Sequence, residues 1–222
     1  MFNVAIDGPA GAGKSTIAKI VARDLDFIYV DTGAMYRAMA LSCLRSGIDI
    51  KDESAVAGHC EHITVSLNYV DGEQQVILDG ENVNAYIRTE EVSQTTSVIS
   101  VYERVRAKLL MLQRQLGKEH NVVMDGRDIG TNVLKDAQVK IYLTASVETR
   151  AKRRYEELKA KGTLCRLEEI ERDIAERDDR DMHREIAPLK QAEDAVYLDS
   201  SELSIQQVVD RIKEIIKSKS ES

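Results

Sequence analysis

The chain has 222 residues, 31 Lys+Arg against 38 Asp+Glu, a formal net charge of −7 and a sequence pI near 5.3. With 43% hydrophobic and 31% charged residues the composition is that of a globular domain, neither disordered nor fibrous. The acidic balance argues against a coat for polymeric nucleic acid or anionic membrane, so an anionic ligand would need a basic site inside an acidic body.

In chain order, Val4–Ile6 is a short apolar run entering Gly8–Gly13, then a helical pattern at Ile17, Ile20 and Val21. Phe27–Val30 ends at Asp31-Thr32-Gly33 and precedes a helical stretch at Met35–Leu44. Between roughly 46 and 100 the rhythm changes. Ile63, Val65, Leu67 and Tyr69 alternate, followed by Asp71-Gly72, Val76–Leu78 and Asp79-Gly80, which predicts a small antiparallel hairpin sheet inserted between two parallel strands. Val122–Met124 ends at Asp125-Gly126-Arg127, Val139–Leu143 enters a long charged helix, and Ala195–Leu198 precedes the last helix. There Ser204 and Gln207 are spaced for a capping box, with Ile205, Val208, Val209, Ile212 and Ile216 as the apolar stripe, before a polar tail at 217–222. Five buried strands alternating with helices predict an α/β fold: a single domain, 1–222, around a five-stranded parallel sheet. An inserted lobe is expected at about 35–110 and a lid at about 148–185, both as mobile elements over a site.

The three cysteines, Cys43, Cys60 and Cys165, are odd in number and far apart, so no disulfide framework is implied. Cys60 lies between His59 and His62, but no second ligand pair stands at zinc-site spacing, and a loop or core role is expected. No apolar run is long enough to span a bilayer and no leader pattern opens the chain; a soluble, cytoplasmic protein, without membrane contact and monomeric, is the expectation.

Gly8-Pro9-Ala10-Gly11-Ala12-Gly13-Lys14-Ser15 fits G-x-x-x-x-G-K-[ST] at every fixed position, with a strand before it and a helix after it. Backbone N–H groups of such a loop surround phosphate oxygens, Lys14 reaches the β/γ-phosphates, and the Ser15 hydroxyl ligates Mg²⁺. A nucleoside triphosphate is expected here. A P-loop does not name the reaction. No Asn-Lys-x-Asp element supports a GTPase, and the chain instead carries Arg37, Arg88, Arg104, Arg106, Arg127, Arg150, Arg153, Arg154, Arg177, Arg180 and Arg184. Arginine forks match phosphate oxygens, and phosphoryl transfer is catalysed mostly by positioning and charge. From 145 to 190 the chain has 12 basic and 12 acidic residues, leaving 19 against 26 elsewhere, so the acidic excess lies wholly outside this arginine-rich stretch. It reads either as a lid whose arginines move from local carboxylates to phosphate, or as solvated helix held by i,i+4 pairs. Thr32 and Arg37, at the end of the second strand, are placed for a second, acceptor phosphate. Asp125 after the third strand is placed near the metal, and Arg127 near the transferring group.

These segments together resemble the bacterial cytidylate kinases, P-loop nucleoside monophosphate kinases that convert CMP or dCMP and ATP to CDP or dCDP and ADP. The resemblance rests on 7–16, DTGAMYR at 31–37, IRT at 87–89, Arg104-Val105-Arg106, DGRDIGT at 125–131, and RDDRD at 177–181 followed by Arg184 and APL at 187–189. It implies ATP binding by Gly8, Pro9, Ala10, Gly11, Ala12, Gly13, Lys14, Ser15 and Thr16, with Arg150, Arg153 and Arg154 approaching its phosphates. It implies that Arg37, Arg127 and Arg184 hold the CMP phosphate and the transferring group, with Thr32 retaining a family hydroxyl. Ser97, Arg106 and Asp128 would face the cytosine, Thr95, Thr96 and Ser100 standing beside Ser97, and Arg177 and Asp181 would face the pentose. The chemistry agrees: cytosine offers an amino donor to a carboxylate and N3 and O2 acceptors to an arginine, whereas uracil would set O4 against the carboxylate. Two rivals remain: another P-loop small-molecule kinase, with a different nucleotide or shikimate as acceptor, and a nucleotide-binding module without turnover.

Overall fold

The computed structural model describes residues 1–220; the last two residues of the expected polar tail, 221 and 222, lie outside the described residues. In chain order the elements are β1 (Asn3–Asp7), α1 (Lys14–Leu25), β2 (Ile28–Asp31), α2 (Thr32–Arg45), α3 (Glu53–His62), β3 (Val65–Val70), β4 (Glu73–Leu78), β5 (Glu81–Asn82), α4 (Glu90–Ile99), α5 (Glu103–Glu119), β6 (Val122–Gly126), a π-helical turn (Ile129–Val133), β7 (Val139–Thr144), α6 (Val147–Ala160), α7 (Leu167–His183), β8 (Val196–Asp199) and α8 (Ile205–Ser220). The five expected strands form one sheet in the order β2-β6-β1-β7-β8, every pair parallel. Its central strands are Val/Ile-rich because helices cover both faces. On one face Val4, Ile6, Val123 and Ile141 pack under α1 and α8; on the other Ala5, Val30 and Met124 pack under α2 and α5.

Register decides what the sheet presents. Asp31 on β2 lies beside Asp125 on β6, and Asp7 on β1 lies beside Gly126 on β6 and Tyr142 on β7. The carboxyl ends of β1, β2 and β6 therefore stop level, and the functional segments leave from that edge.

The residues between β2 and β6 carry the predicted antiparallel sheet, β3-β4-β5, with both Asp-Gly turns where expected. Asp71 and Gly72, and again Asp79 and Gly80, take positive φ, the two-residue geometry that suits strand twist. Ile63 caps α3 and the first strand of the hairpin begins at Val65. The insert is not a separate lobe in packing terms: Val56, Ile63, Val65, Val76, Leu78, Val83 and Ile87 join one cluster with Val30, Met35 and Met124. Cys60 is buried in that cluster, and neighbouring His59 meets the Ser42 hydroxyl at 2.9 Å.

The charged stretch forms α6 and α7, whose buried positions are Arg150 and Ala151, and Ile170 and Asp178. At α8 the capping box forms, Ser204 N–H to Gln207 Oε1 at 2.9 Å and Gln207 N–H to Ser204 Oγ at 3.2 Å. Val208, Val209, Ile212 and Ile216 are buried as expected, but Ile205 is 53% exposed; it is the first residue of the helix and falls outside the buried stripe. No helix among the described residues is long and apolar enough to cross a membrane.

Candidate active site

At the level edge of the sheet lies a cleft of about 250 Å³, lined by Ala10 and Gly11 of the P-loop together with Thr32, Arg37, Ser97, Arg106, Asp128, Arg177, Asp181 and Arg184. Lys14, Ser15, Asp125 and Arg127 line the same cleft.

The P-loop conformation is written into its glycines. A Cβ on Gly8 would fall 1.9 Å from the Leu143 carbonyl oxygen, so only glycine passes over β7. Gly11 and Gly13 take φ of 75° and 84°, left-handed values that favour glycine. Lys14 opens α1, so the positive end of the helix faces the loop. Its buried ammonium donates to the Pro9 carbonyl at 2.7 Å. Burial, and then the charge of Arg127, pushes Lys14 down to about 7. The Ser15 hydroxyl donates to Asp125 Oδ2 at 2.9 Å, while Tyr29 OH donates to Asp125 Oδ1 at 2.9 Å. Burial, reinforced by the charge of Asp31, raises Asp125 to about 6. A hydroxyl and a carboxylate in contact are the hard oxygen donors that suit Mg²⁺, which is typically held by one or two carboxylates together with phosphate.

Much of the rest of the cleft is built from arginines already paired with acids. Asp31 caps α2 by accepting the Ala34 N–H at 2.8 Å, and its other oxygen takes Arg37 Nη2 at 3.0 Å and Arg88 Nη2 at 3.4 Å. Thr32 donates its hydroxyl to the Asp125 carbonyl at 2.7 Å. Arg127 Nε donates to Asp181 at 2.7 Å. Although burial opposes it, the cation of Arg127 holds Asp181 below the usual carboxylate range. Arg106 donates to Asp128 at 2.5 Å and to the Ser100 carbonyl at 3.1 Å, its guanidinium lying 5.6 Å from the centre of the Tyr36 ring. Arg184 follows α7 in a chain reversal that sets Ala187 at positive φ, and its Nε donates to the Ala187 carbonyl at 2.6 Å. Its Nη2 faces Asp128 Oδ1 at 3.5 Å without forming a hydrogen bond. Arg37 Nε and Arg184 Nη2 are buried donors with no partner, although both residues line the cleft. Unpaired buried donors are costly, and an anion between them would satisfy both.

Most of the residues expected at the site from the sequence line this one cleft, and the others lie elsewhere. Arg150, expected to swing toward phosphate, is fixed: it is 3% exposed and donates to the carbonyls of Ala145 at 2.8 Å and Ala10 at 2.9 Å and to Asp178 at 2.5 Å. It braces the backbone of the P-loop from behind. Arg154 points to solvent and pairs with Glu157, and Arg153 bonds the Ser200 carbonyl; neither lines the cleft. Thr16 is exposed on α1, outside the cleft lining. Ser97 lines the cleft, as do Thr96 and Ser100, but the Ser97 hydroxyl bonds the Ser93 carbonyl in its own helix. Sequence reasoning gave no role to Asp31, Tyr29 or Tyr36. Only the position of Asp31 at a strand end signalled it; the tyrosines became visible through packing across strands and helices.

The comparisons with known proteins agree with one another. A family model described as cytidylate kinase matches residues 4–218. A cytidylate kinase of Lactobacillus johnsonii is 50% identical over 99% of this chain and 95% of its own, and one of Bacillus subtilis (strain 168) is 48% identical over 99% of this chain and 98% of its own. A solved structure of an uncharacterized protein from Eubacterium ventriosum superposes with a TM-score of 0.56 at 11% identity, covering 98% of this chain and 99% of that one. At that identity the likeness concerns the fold alone.

Proposed function

The chain belongs to the cytidylate kinase family, the ATP-dependent kinases of CMP and dCMP, and on that footing we propose how its own residues carry out the transfer. ATP lies along Gly8–Ser15, its phosphates met by loop N–H groups, the α1 terminus and Lys14. Ser15 and Asp125 would hold Mg²⁺, which would supply charge neutralisation at the phosphates. The CMP phosphate is taken by Arg37, Arg127 and Arg184. One of its oxygens forms the new bond to the γ-phosphorus as the bond to the β,γ-bridging oxygen breaks, so CDP and ADP result with no covalent protein intermediate. Lys14, Arg127 and Arg184 balance charge on the transferring group, and Thr32 fixes the Asp125 carbonyl. Arg177 and Asp181 meet the pentose, and Ser97 faces the base.

The observation that carries the reading is the Arg106–Asp128 pair, 8% and 7% exposed, lining the same cleft as the P-loop. A carboxylate that accepts and an arginine that donates complement the cytosine edge, and the orphaned Arg37 and Arg184 donors supply the phosphate site beside it. The insert between β2 and β6 then serves as the monophosphate-binding lobe, and α6–α7 as the lid that helps exclude water, since hydrolysis of ATP is the competing reaction. Arg150 acts through the backbone of the P-loop, and Arg154 is outside the assignment. The three free cysteines fit a reducing cytoplasm, and the acidic surface fits a monomer acting on small nucleotides. The assignment is tested with Asp128→Ala. kcat/KM for CMP is expected to fall about a hundredfold while the KM for ATP stays within about threefold. Equal loss toward both substrates removes Asp128 from base recognition.

A further inference from the structure

Asp7 is a buried carboxylate, 4% exposed, that takes no part in the steps above. It ends β1 in the middle of the sheet, immediately before Gly8, where register fixes it beside Gly126 and Tyr142. Its Oδ1 accepts the Ile129 N–H and its Oδ2 the Gly130 N–H, each at 2.7 Å.

Those two amides open the π-helical turn at Ile129–Val133, where no intrahelical acceptor is available to them. The rest of the turn closes on Asp128, whose carbonyl accepts the N–H groups of Asn132 at 2.9 Å and Val133 at 3.2 Å. Asp128 is thus fixed through its own carbonyl and through the two amides that follow it. Its side chain leaves in one direction, toward Arg106 at 2.5 Å, with Asn132 Nδ2 donating to the same oxygen at 3.1 Å. The turn sits closely on its support. A Cβ at Gly130 would come within 3.1 Å of the Lys140 side chain and 3.4 Å of Asp7 Oδ2, so a larger residue there would press on both side chains. Lys140 is itself held by Asp194 at 2.8 Å.

We propose that Asp7 is a positioning residue for base selection: by holding the amides of Ile129 and Gly130 it aims the Asp128 carboxylate at the cytosine amino group. The inference rests on the reading of Asp128 given above. Its consequence is that one side chain, adjacent in sequence to the first glycine of the ATP loop, sets the geometry with which the acceptor base is read. Burial pushes the Asp7 carboxyl up to about 6 against the pull of the two amides, which leaves it ionised, with both oxygens accepting, at neutral pH.

Asp7→Asn tests this, because it keeps the shape while turning an NH₂ toward an amide N–H. kcat/KM is measured for CMP and for UMP at saturating ATP, with the KM for ATP and the melting temperature alongside, in the wild type, in Asp7→Asn and in Asp128→Ala. The expected result is a CMP-over-UMP ratio at least about tenfold lower in both variants, with the ATP KM of Asp7→Asn within about threefold of wild type. A merely structural role lowers both acceptors together and leaves the ratio unchanged, which overturns the proposal. If the ratio is also unchanged in Asp128→Ala, the base assignment itself has failed. Hydrogen exchange on the nucleotide-free wild type covers the case of a variant that does not fold. The Ile129 and Gly130 amides are expected to be strongly protected, and exchange at the rate of an open loop contradicts the anchoring role.

Discussion

The insert between β2 and β6 and the α6–α7 segment look alike in one respect, since both interrupt the strand–helix rhythm and both border the cleft, yet they are held by different forces. The insert is attached by apolar burial: Val76, Leu78, Val83 and Ile87 are inside the same core as Met35 and Met124. Its one polar inward residue on β4, Gln74, is satisfied by the Asp31 backbone, accepting from its N–H at 2.8 Å. The α6–α7 pair buries little that is apolar. It is tied by Arg150–Asp178 at 2.5 Å between the helices and by Arg127–Asp181 at 2.7 Å to the end of β6. The difference teaches where substrate acts. Of the two arginines that dock α7, Arg127 is the one assigned to phosphate in the proposed function, so an arriving anion would compete with Asp181 for it, whereas the core of the insert is indifferent to charge.

The sharpest way to break this comparison is Arg184→Ala. If the buried, partly unpaired guanidinium serves the transferring phosphoryl, kcat falls by roughly 10³-fold or more, and a near-normal kcat leaves Arg184 as a structural ion-pairing residue. Next is Arg150→Ala, which strands the buried Asp178 carboxylate and removes a brace from Ala10. A loss of about 3–5 kcal/mol in unfolding free energy is expected, most of it recovered when Arg150→Met is combined with Asp178→Leu. If the single variant melts like the wild type, α6–α7 is not held by that pair. In the insert, Leu78→Ala is expected to cost about 2–5 kcal/mol, as a cavity in a core that charge does not hold. A stability loss for Leu78→Ala that grows with added nucleotide would contradict the division.

How much of this was legible beforehand follows from how local each signal is. The P-loop, the strand ends and the two Asp-Gly turns are short-range patterns whose residues admit few conformations, and all appear where their spacing places them. The burial of Arg150 was not legible, because charge patterning does not tell which of the 12 basic residues at 145–190 faces inward. Its burial depends on Asp178 in another helix and on a carbonyl of the P-loop. Asp7 and Asp31 escaped a role for a similar reason: each works through backbone N–H groups or arginines brought beside it by the fold. The cleft itself was readable because the family resemblance named residues from six segments that sheet register then brings together.

The smallest effect concerns proton linkage at Lys14. Burial and Arg127 push its ammonium down to about 7, so below that pH the free protein already has it charged, and above it the side chain is neutral and the phosphates of ATP draw a proton back. ATP binding is therefore expected to take up close to one proton at about pH 8 and much less at about pH 6, with affinity declining as pH rises past about 7. Calorimetry in two buffers of different ionisation enthalpy reads this directly, and equal uptake at both pH values contradicts it.

In the proposed function the Arg106–Asp128 pair makes this P-loop site a cytosine reader. Initial rates of diphosphate formation with CMP, dCMP, UMP and AMP, at equal concentration with ATP and Mg²⁺, test it most directly. CMP and dCMP are expected to exceed UMP and AMP by about a hundredfold or more in kcat/KM. A rate with UMP or AMP equal to that with CMP would contradict it.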